Sequence, residues 1–295
     1  MSPGTLLLTA CALLAFAGNS LLCRAAIGGG AIDPGNFTLI RLVSGAAALS
    51  LLSGARTIVL PRGRANFLTA LPLALYAIAF AFAYVHLSAG TGALILFGAV
   101  QLTMLTSAWR SGERPGAREW TGIALALGGL GWLVAPGVTA PPLVSAALMA
   151  IAGVAWGVYS LHGRGATLAL AETTMNFTRA LPLAAPFVLL AQVGGGARLS
   201  WTWPGIGFAI VSGALASGAG YALWYRALPR LTATRAAAVQ LAVPMIAALG
   251  GVLFLGERLS MRLVLAAVLI LGGIGLTLLG RSAGGAALPG PEATR

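Results

Sequence analysis

The sequence predicts an all-helical polytopic membrane protein: ten spans arranged as two inverted repeats of five helices. Three observations carry this expectation. Hydrophobic residues make up 58% of the 295 and charged residues only 8%, whereas a soluble domain carries about 25% charged residues. Ten apolar runs each approach the roughly 20 residues that a helix needs to cross the hydrocarbon core. The stretch GERPGAREWTGIALALGGLG, beginning at Gly112, is echoed by GERLSMRLVLAAVLILGGIG, beginning at Gly256, and both reach a Gly-Gly pair 16 residues later.

The runs follow in order. The first, 5–23, has no basic leader and precedes nine further spans, so it reads as a retained helix and not a cleaved signal. It holds Cys11, Cys23 and the amide of Asn19. Cysteines inside a span cannot form an external disulfide framework and read as small packing residues. The second run, 36–54, opens Asn36-Phe37-Thr38 and carries Arg41. The third, 67–86, places Tyr76, Phe80 and Tyr84 at i, i+4 and i+8, on one helical face. The fourth, 91–109, holds Phe97 and Gln101 one turn apart, and the fifth, 119–135, follows the first Gly-Glu-Arg turn.

The sixth run, 142–161, carries Trp156 and Tyr159, with Gly153 and Gly157 as a small-residue contact face. The seventh, 173–191, opens Asn176-Phe177-Thr178 and carries Arg179. The eighth, 204–225, ends with Tyr221, Trp224 and Tyr225 on one face. The ninth, 234–255, holds Gln240 and Pro244, the preferred hinge, and the tenth is 260–280. Backbone groups in lipid must be paired internally, and the strand-by-strand alternation of a membrane barrel is absent, so the runs are helices.

The net charge of +12 is a topology signal and not a nucleic-acid patch. With the N-terminus inside, the cytoplasmic loops and tail hold 12 arginines and the external loops 4 (Arg24, Arg198, Arg258 and Arg262). This positive-inside bias places both termini in the cytoplasm. The unit of five is odd, so the second copy enters the membrane upside down. The expected division is 1–140 for the first repeat, 141–281 for the second and 282–295 for a disordered cytoplasmic tail. Inverted repeats characterise many secondary transporters, with the substrate site between the halves.

Ten spans, the five-plus-five repeat and the Gly-Glu turns before the last helix of each half resemble the EamA-type branch of the drug/metabolite transporter superfamily. Within that branch, Trp156-Gly157-Val158-Tyr159 and Tyr76 look like positions in the aromatic amino acid exporters of bacterial inner membranes. The resemblance implies transport of a small molecule across the inner membrane. The family pattern places a proline midway along both the fourth and ninth spans. Pro244 matches it, whereas Val100-Gln101 stands at the other place.

The candidate substrate-binding residues are Asn19, Tyr76, Phe80, Tyr84, Phe97, Gln101, Trp156, Tyr159, Tyr221, Trp224, Tyr225 and Gln240. Aromatic faces would hold the apolar part of a solute, and amides and phenols its polar groups. An interfacial belt is the competing reading for Tyr84, Trp224 and Tyr225, near span ends. Asn19, Gln101 and Gln240 serve equally for substrate or for bonds across helices. Arg41 and Arg179 lie about six residues into their spans, roughly 9 Å at helical rise and within snorkelling reach. Their pseudo-symmetric placement favours a structural role over a functional one.

No Asp or Glu lies deep in a span and the chain has no Lys. A counter-charge for a lipophilic cation and an obvious proton relay are therefore missing, as is the lysine of a P-loop or Schiff base. The expected function is export of an amino acid or a similar zwitterionic or neutral metabolite, with the lipid bilayer as surroundings. No cofactor, metal, nucleic-acid partner or enzymatic activity is expected; the sequence does not fix the oligomeric state, and a monomer is compatible with it. The alternatives are other transported metabolites, such as nucleotide sugars or drugs, and a non-transporting receptor or scaffold.

Overall fold

The computed structural model describes residues 2–53, 65–110, 112, 116–137, 140–163, 169–193, 200–231, 236 and 239–284. Ten helical segments follow one another: α1 Pro3–Gly28, α2 Pro34–Ser53, α3 Ala65–Ala83, α4 Ala89–Arg110, α5 Ala117–Val134, α6 Leu143–Gly163, α7 Ala169–Val193, α8 Trp203–Arg230, α9 Ala242–Leu255 and α10 Met261–Gly284. They match the ten expected runs, with shifts at several ends: α1 and α8 run five residues past the expected 23 and 225. The α9 segment begins at Ala242, after a turn at Leu241, and residues 236, 239 and 240 before that turn are also helical. The tenth continues to Gly284, three residues into the expected tail. Glu113, Arg114 and residues 285–295 lie outside the described residues.

Helix starts follow local chemistry. Ser2 caps α1 by accepting from the Thr5 N–H at 3.3 Å, and Thr202 caps α8 by accepting from Gly205 at 3.2 Å. Asp33 accepts from the Asn36 N–H at 2.9 Å at the head of α2. Each side chain satisfies a backbone donor that the helix leaves unpaired. Two helices depart from α geometry. α1 finishes in a π turn, Arg24–Gly28, and α8 runs as a π helix over Ser212–Ala219. Such segments occur frequently at functional sites.

Among the described residues, six helices (α1, α2, α4, α6, α8 and α10) contain segments long and apolar enough to cross a membrane, and α3 and α9 contain shorter apolar stretches. The outer faces of the helices carry exposed Leu51, Leu190, Leu253 and Phe254. A continuous apolar exterior of this kind is a surface made for lipid, and the protein is a multi-pass membrane protein.

The main helix pairings are α1 with α8 and α9, α6 with α3 and α4, α2 with α7 and α8, α7 with α3, α4 with α9, and α5 with α10. Exchanging each helix of the first five with its counterpart five places on leaves this set unchanged. The repeated Gly-Gly pairs find their reason at α5 and α10. A side chain at Gly129 would meet Leu269 and Ile270, and one at Gly273 would meet the Gly122 carbonyl and Ala126. The preceding glycines, Gly128 and Gly272, have nothing within 4 Å. One glycine of each pair thus lets the two helices touch backbone to backbone.

Candidate functional site

A small cavity lies where helices of both halves converge. From α1 come Phe16, Asn19 and Ser20; from α3, Tyr76 and Phe80; from α4, Leu96 and Phe97. α6 contributes Trp156, and the π segment and following turn of α8 contribute Ala216, Ser217 and Tyr221. Its free volume, about 20 Å³, is that of roughly one water molecule. An amino acid enters only if the helices part.

The walls are mainly aromatic. Trp156 is half-buried and its ring lies 5.0 Å from Tyr76, 5.0 Å from Tyr221 and 5.5 Å from Tyr159. It therefore joins α3, α6 and α8. Tyr76 continues to Phe80 at 5.3 Å and Phe80 to Tyr84 at 4.8 Å, while Tyr221 reaches Phe16 at 5.9 Å. These separations suit tilted and edge-to-face aromatic pairs.

A polar chain crosses this aromatic wall. Ser212 donates to Asn19 Oδ1 at 2.6 Å, and Asn19 Nδ2 donates to the Tyr76 hydroxyl at 3.2 Å. Arg41 Nη2 donates to the same hydroxyl at 3.0 Å, and Arg41 Nε to Ser217 Oγ at 3.3 Å. The Arg41 guanidinium lies 5.0 Å from the ring centres of both Tyr76 and Phe80, within range of cation–π attraction.

Six of the twelve expected site residues line the cavity: Asn19, Tyr76, Phe80, Phe97, Trp156 and Tyr221. Tyr159 stands behind Trp156 and donates to Thr173 at 3.4 Å. Tyr84 is fully buried, which removes the interfacial-belt reading for it, and it donates to the Ala89 carbonyl at 3.3 Å. Trp224 packs beside Phe16 in a separate cluster with Ala12 and Ala236. Tyr225 is half-buried outside the lining. Gln240 donates back to the Ala236 carbonyl at 3.1 Å, and buried Gln101 lies one turn beyond Phe97; neither lines the cavity. Pro244 occupies the first turn of α9, just after the turn at Leu241. There its missing N–H costs the helix nothing.

Arg41 overturns the snorkelling expectation. It is only 2% exposed and points to the bundle interior, while Arg179 is half-buried. The two are not equivalent. Arg41 stands five residues after Asn36 and Arg179 three after Asn176. That difference of two residues turns a helix by roughly 200°, onto the opposite face. Phe16, Ser20 and Ser217 were missed altogether. Phe16 had a signal: 140 residues separate it from Trp156, the interval between Asn36 and Asn176.

At one end of the bundle stands Glu257, of the second Gly-Glu-Arg turn. Gly256 takes the left-handed conformation (φ 64°) that a side chain resists, and the chain reverses there. Glu257 then accepts from the Ala89 N–H at 3.0 and 2.9 Å, capping α4, and from Arg24 Nε at 3.2 Å. Arg24 Nη1 also donates to the carbonyls of Tyr84 and Val85 at 3.2 and 3.3 Å. This latch ties α1, the end of α3 and the start of α4 to the α9–α10 turn.

The comparisons with known proteins agree with a transporter. The model of the EamA-like transporter family matches residues 143–279. The chain is 53% identical over 282 residues to the "Uncharacterized protein PA1977" of Pseudomonas aeruginosa, covering 95% of this chain and 97% of that one. It is 30% identical over 199 residues to the "Uncharacterized transporter YwfM" of Bacillus subtilis, covering 66% of each. A solved chain described as "Crystal structure of protein" shares the fold, with a TM-score of 0.63 at 21% identity, over 92% of this chain and 98% of that one. By the match over residues 143–279, the second half of the chain is an EamA-like transporter domain.

Proposed function

We propose that this protein is a secondary transporter of the bacterial inner membrane, with both termini cytoplasmic, that exports amino acids or similar small metabolites by alternating access. It acts as a carrier and not as an enzyme. The observation that carries this reading is the cavity itself: an aromatic wall threaded by hydroxyl and amide groups, at the junction of both halves of the chain. Aromatic faces suit the apolar part of a solute and the amide and hydroxyls its polar groups.

Two inverted five-helix repeats supply the motion. The pairing pattern, unchanged when the halves are exchanged, supports two related half-structures that can swap conformations at similar energy. The Glu257 latch then holds the external side shut, since its turn lies outside when the termini are inside. The turn at Leu241, with helical residues on both sides and Pro244 just after it, gives the ninth span a place to bend.

The test is flux. Purified protein in liposomes loaded with a panel of labelled amino acids is expected to release at least one of them well above protein-free vesicles. Release no faster than from empty vesicles across the whole panel would reject the transport reading.

A further inference from the structure

We propose that Arg41 is the anion-recognition residue of the cavity, and that the substrate is held there by a carboxylate. This deepens the transport reading and rests on it for the word substrate, but binding itself is measured separately.

The inference begins with unspent donors. Arg41 is 2% exposed, and its Nη1 is buried without a hydrogen-bond partner among the described residues. The other two guanidinium nitrogens bond to Tyr76 and Ser217, both of which line the cavity. The Tyr76 hydroxyl accepts twice, from Asn19 Nδ2 and from Arg41 Nη2. A phenol has two acceptor sites and one donor, so its own O–H proton is left for a third partner. Two donors therefore remain, one of them charged, on two side chains that bond to each other; Tyr76 lines the cavity and Arg41 stands directly behind it.

Nothing in the lining answers that charge. No Asp or Glu is among the residues facing the cavity. The described salt bridge is the one between Arg24 and Glu257, at the latch. Cation–π contact with Tyr76 and Phe80 softens the burial of Arg41 but leaves it without an anion. A buried charge lacking a counter-charge is costly unless something neutralises it, and a persistent unpartnered buried donor calls for an explanation. A carboxylate meets each of these needs: it is acceptor-only, takes an N–H and an O–H together, and cancels the charge.

The same arrangement sets the direction of specificity. A solute whose charge is an ammonium alone meets a cation and no carboxylate, so amines without an acid group are rejected. The neutral metabolites that composition alone allowed are disfavoured for want of an anion.

Three probes of similar shape separate the possibilities: phenylalanine, 3-phenylpropionate, which lacks the ammonium, and phenethylamine, which lacks the carboxylate. The readout is the shift in unfolding temperature of the full chain in detergent with millimolar probe. Phenylalanine and 3-phenylpropionate are expected to stabilise the protein, and phenethylamine is not. Arg41→Gln should weaken binding of the two acids by about tenfold or more, the loss of a charge-assisted pair. Arg41→Lys should retain part of it, since a point charge lacks the planar fork. Should the glutamine variant not fold, Tyr76→Phe keeps the ring, removes the free O–H and should weaken the acids severalfold.

Equal stabilisation by phenethylamine, acids that bind undiminished when Arg41 or Tyr76 is replaced, or no stabilisation by any probe would each overturn the proposal. Failure of transport would look different: the acids would still bind in detergent while liposomes showed no flux.

Discussion

Replacing Trp156 with alanine should reduce amino acid flux in liposomes by about tenfold or more, with the protein still monodisperse in detergent. The side chain is half-buried at the cavity and touches three aromatic rings, two of them on other helices. Each aromatic pair contributes about 0.5–1.5 kcal/mol beyond its buried area. Losing two or three amounts to roughly 1–4 kcal/mol, and each 1.4 kcal/mol is a factor of ten in an equilibrium. The missing indole also removes one wall of the binding volume. Trp156→Phe keeps an aromatic face there and should retain a substantial part of the flux. Tyr76→Ala should resemble the alanine variant, because it deletes both a ring of the wall and the hydroxyl that joins Asn19 to Arg41. Unchanged flux in both alanine variants would remove the cavity from the transport path.

The second large effect concerns the latch. Glu257→Ala deletes the acceptor of the Ala89 N–H and the partner of Arg24 Nε at once. Hydrogen bonds to charged groups contribute about 1.5–3 kcal/mol each. The Arg24 and Glu257 side chains are 27% and 14% exposed, so solvent screens the pair only in part. If the latch holds the external side shut, its loss shifts the population toward outward opening. A cysteine placed at Ser20, which lines the cavity and is 1% exposed, reports this. In a background with Cys11 and Cys23 replaced by alanine, labelling of Ser20→Cys from outside should rise severalfold when Glu257→Ala is added. Labelling that stays as slow as with Glu257 intact would mean that the pair braces the loops without controlling access.

Much of this architecture is legible in the sequence because membrane spans obey one strong rule. Length and apolarity mark helices wherever the backbone must satisfy itself, and the described helices match the expected runs within a few residues at most ends. The aromatic face of α3 is equally plain: Tyr76, Phe80 and Tyr84 recur every fourth residue and stack on one another. What was hidden depends on rotation and on close approach. Arg41 and Arg179 look like counterparts until their spacing from Asn36 and Asn176 is followed around the helix. The π segment Ser212–Ala219 has no hydropathy signature, yet it brings Ser212 to Asn19 and Ser217 to Arg41. The partner of Glu257 could not be read either, since Arg24 lies 233 residues earlier in the chain. Repetition showed that the Gly-Glu-Arg turn mattered, and only the fold showed that it caps α4 and ties down α1.

Two mutually inverted halves around one cavity require the two Gly-Glu turns to lie on opposite sides of the membrane. Arg114 and Arg258 follow the two Gly-Glu pairs, and substituting them spares Glu257. Single cysteines at these positions, in the cysteine-free background, are treated in intact cells with a membrane-impermeant maleimide. Inversion predicts that Arg258→Cys reacts at once and that Arg114→Cys reacts only after the membrane is permeabilised. Reaction of both positions in intact cells, or of both only after permeabilisation, would place the two turns on one side and contradict it.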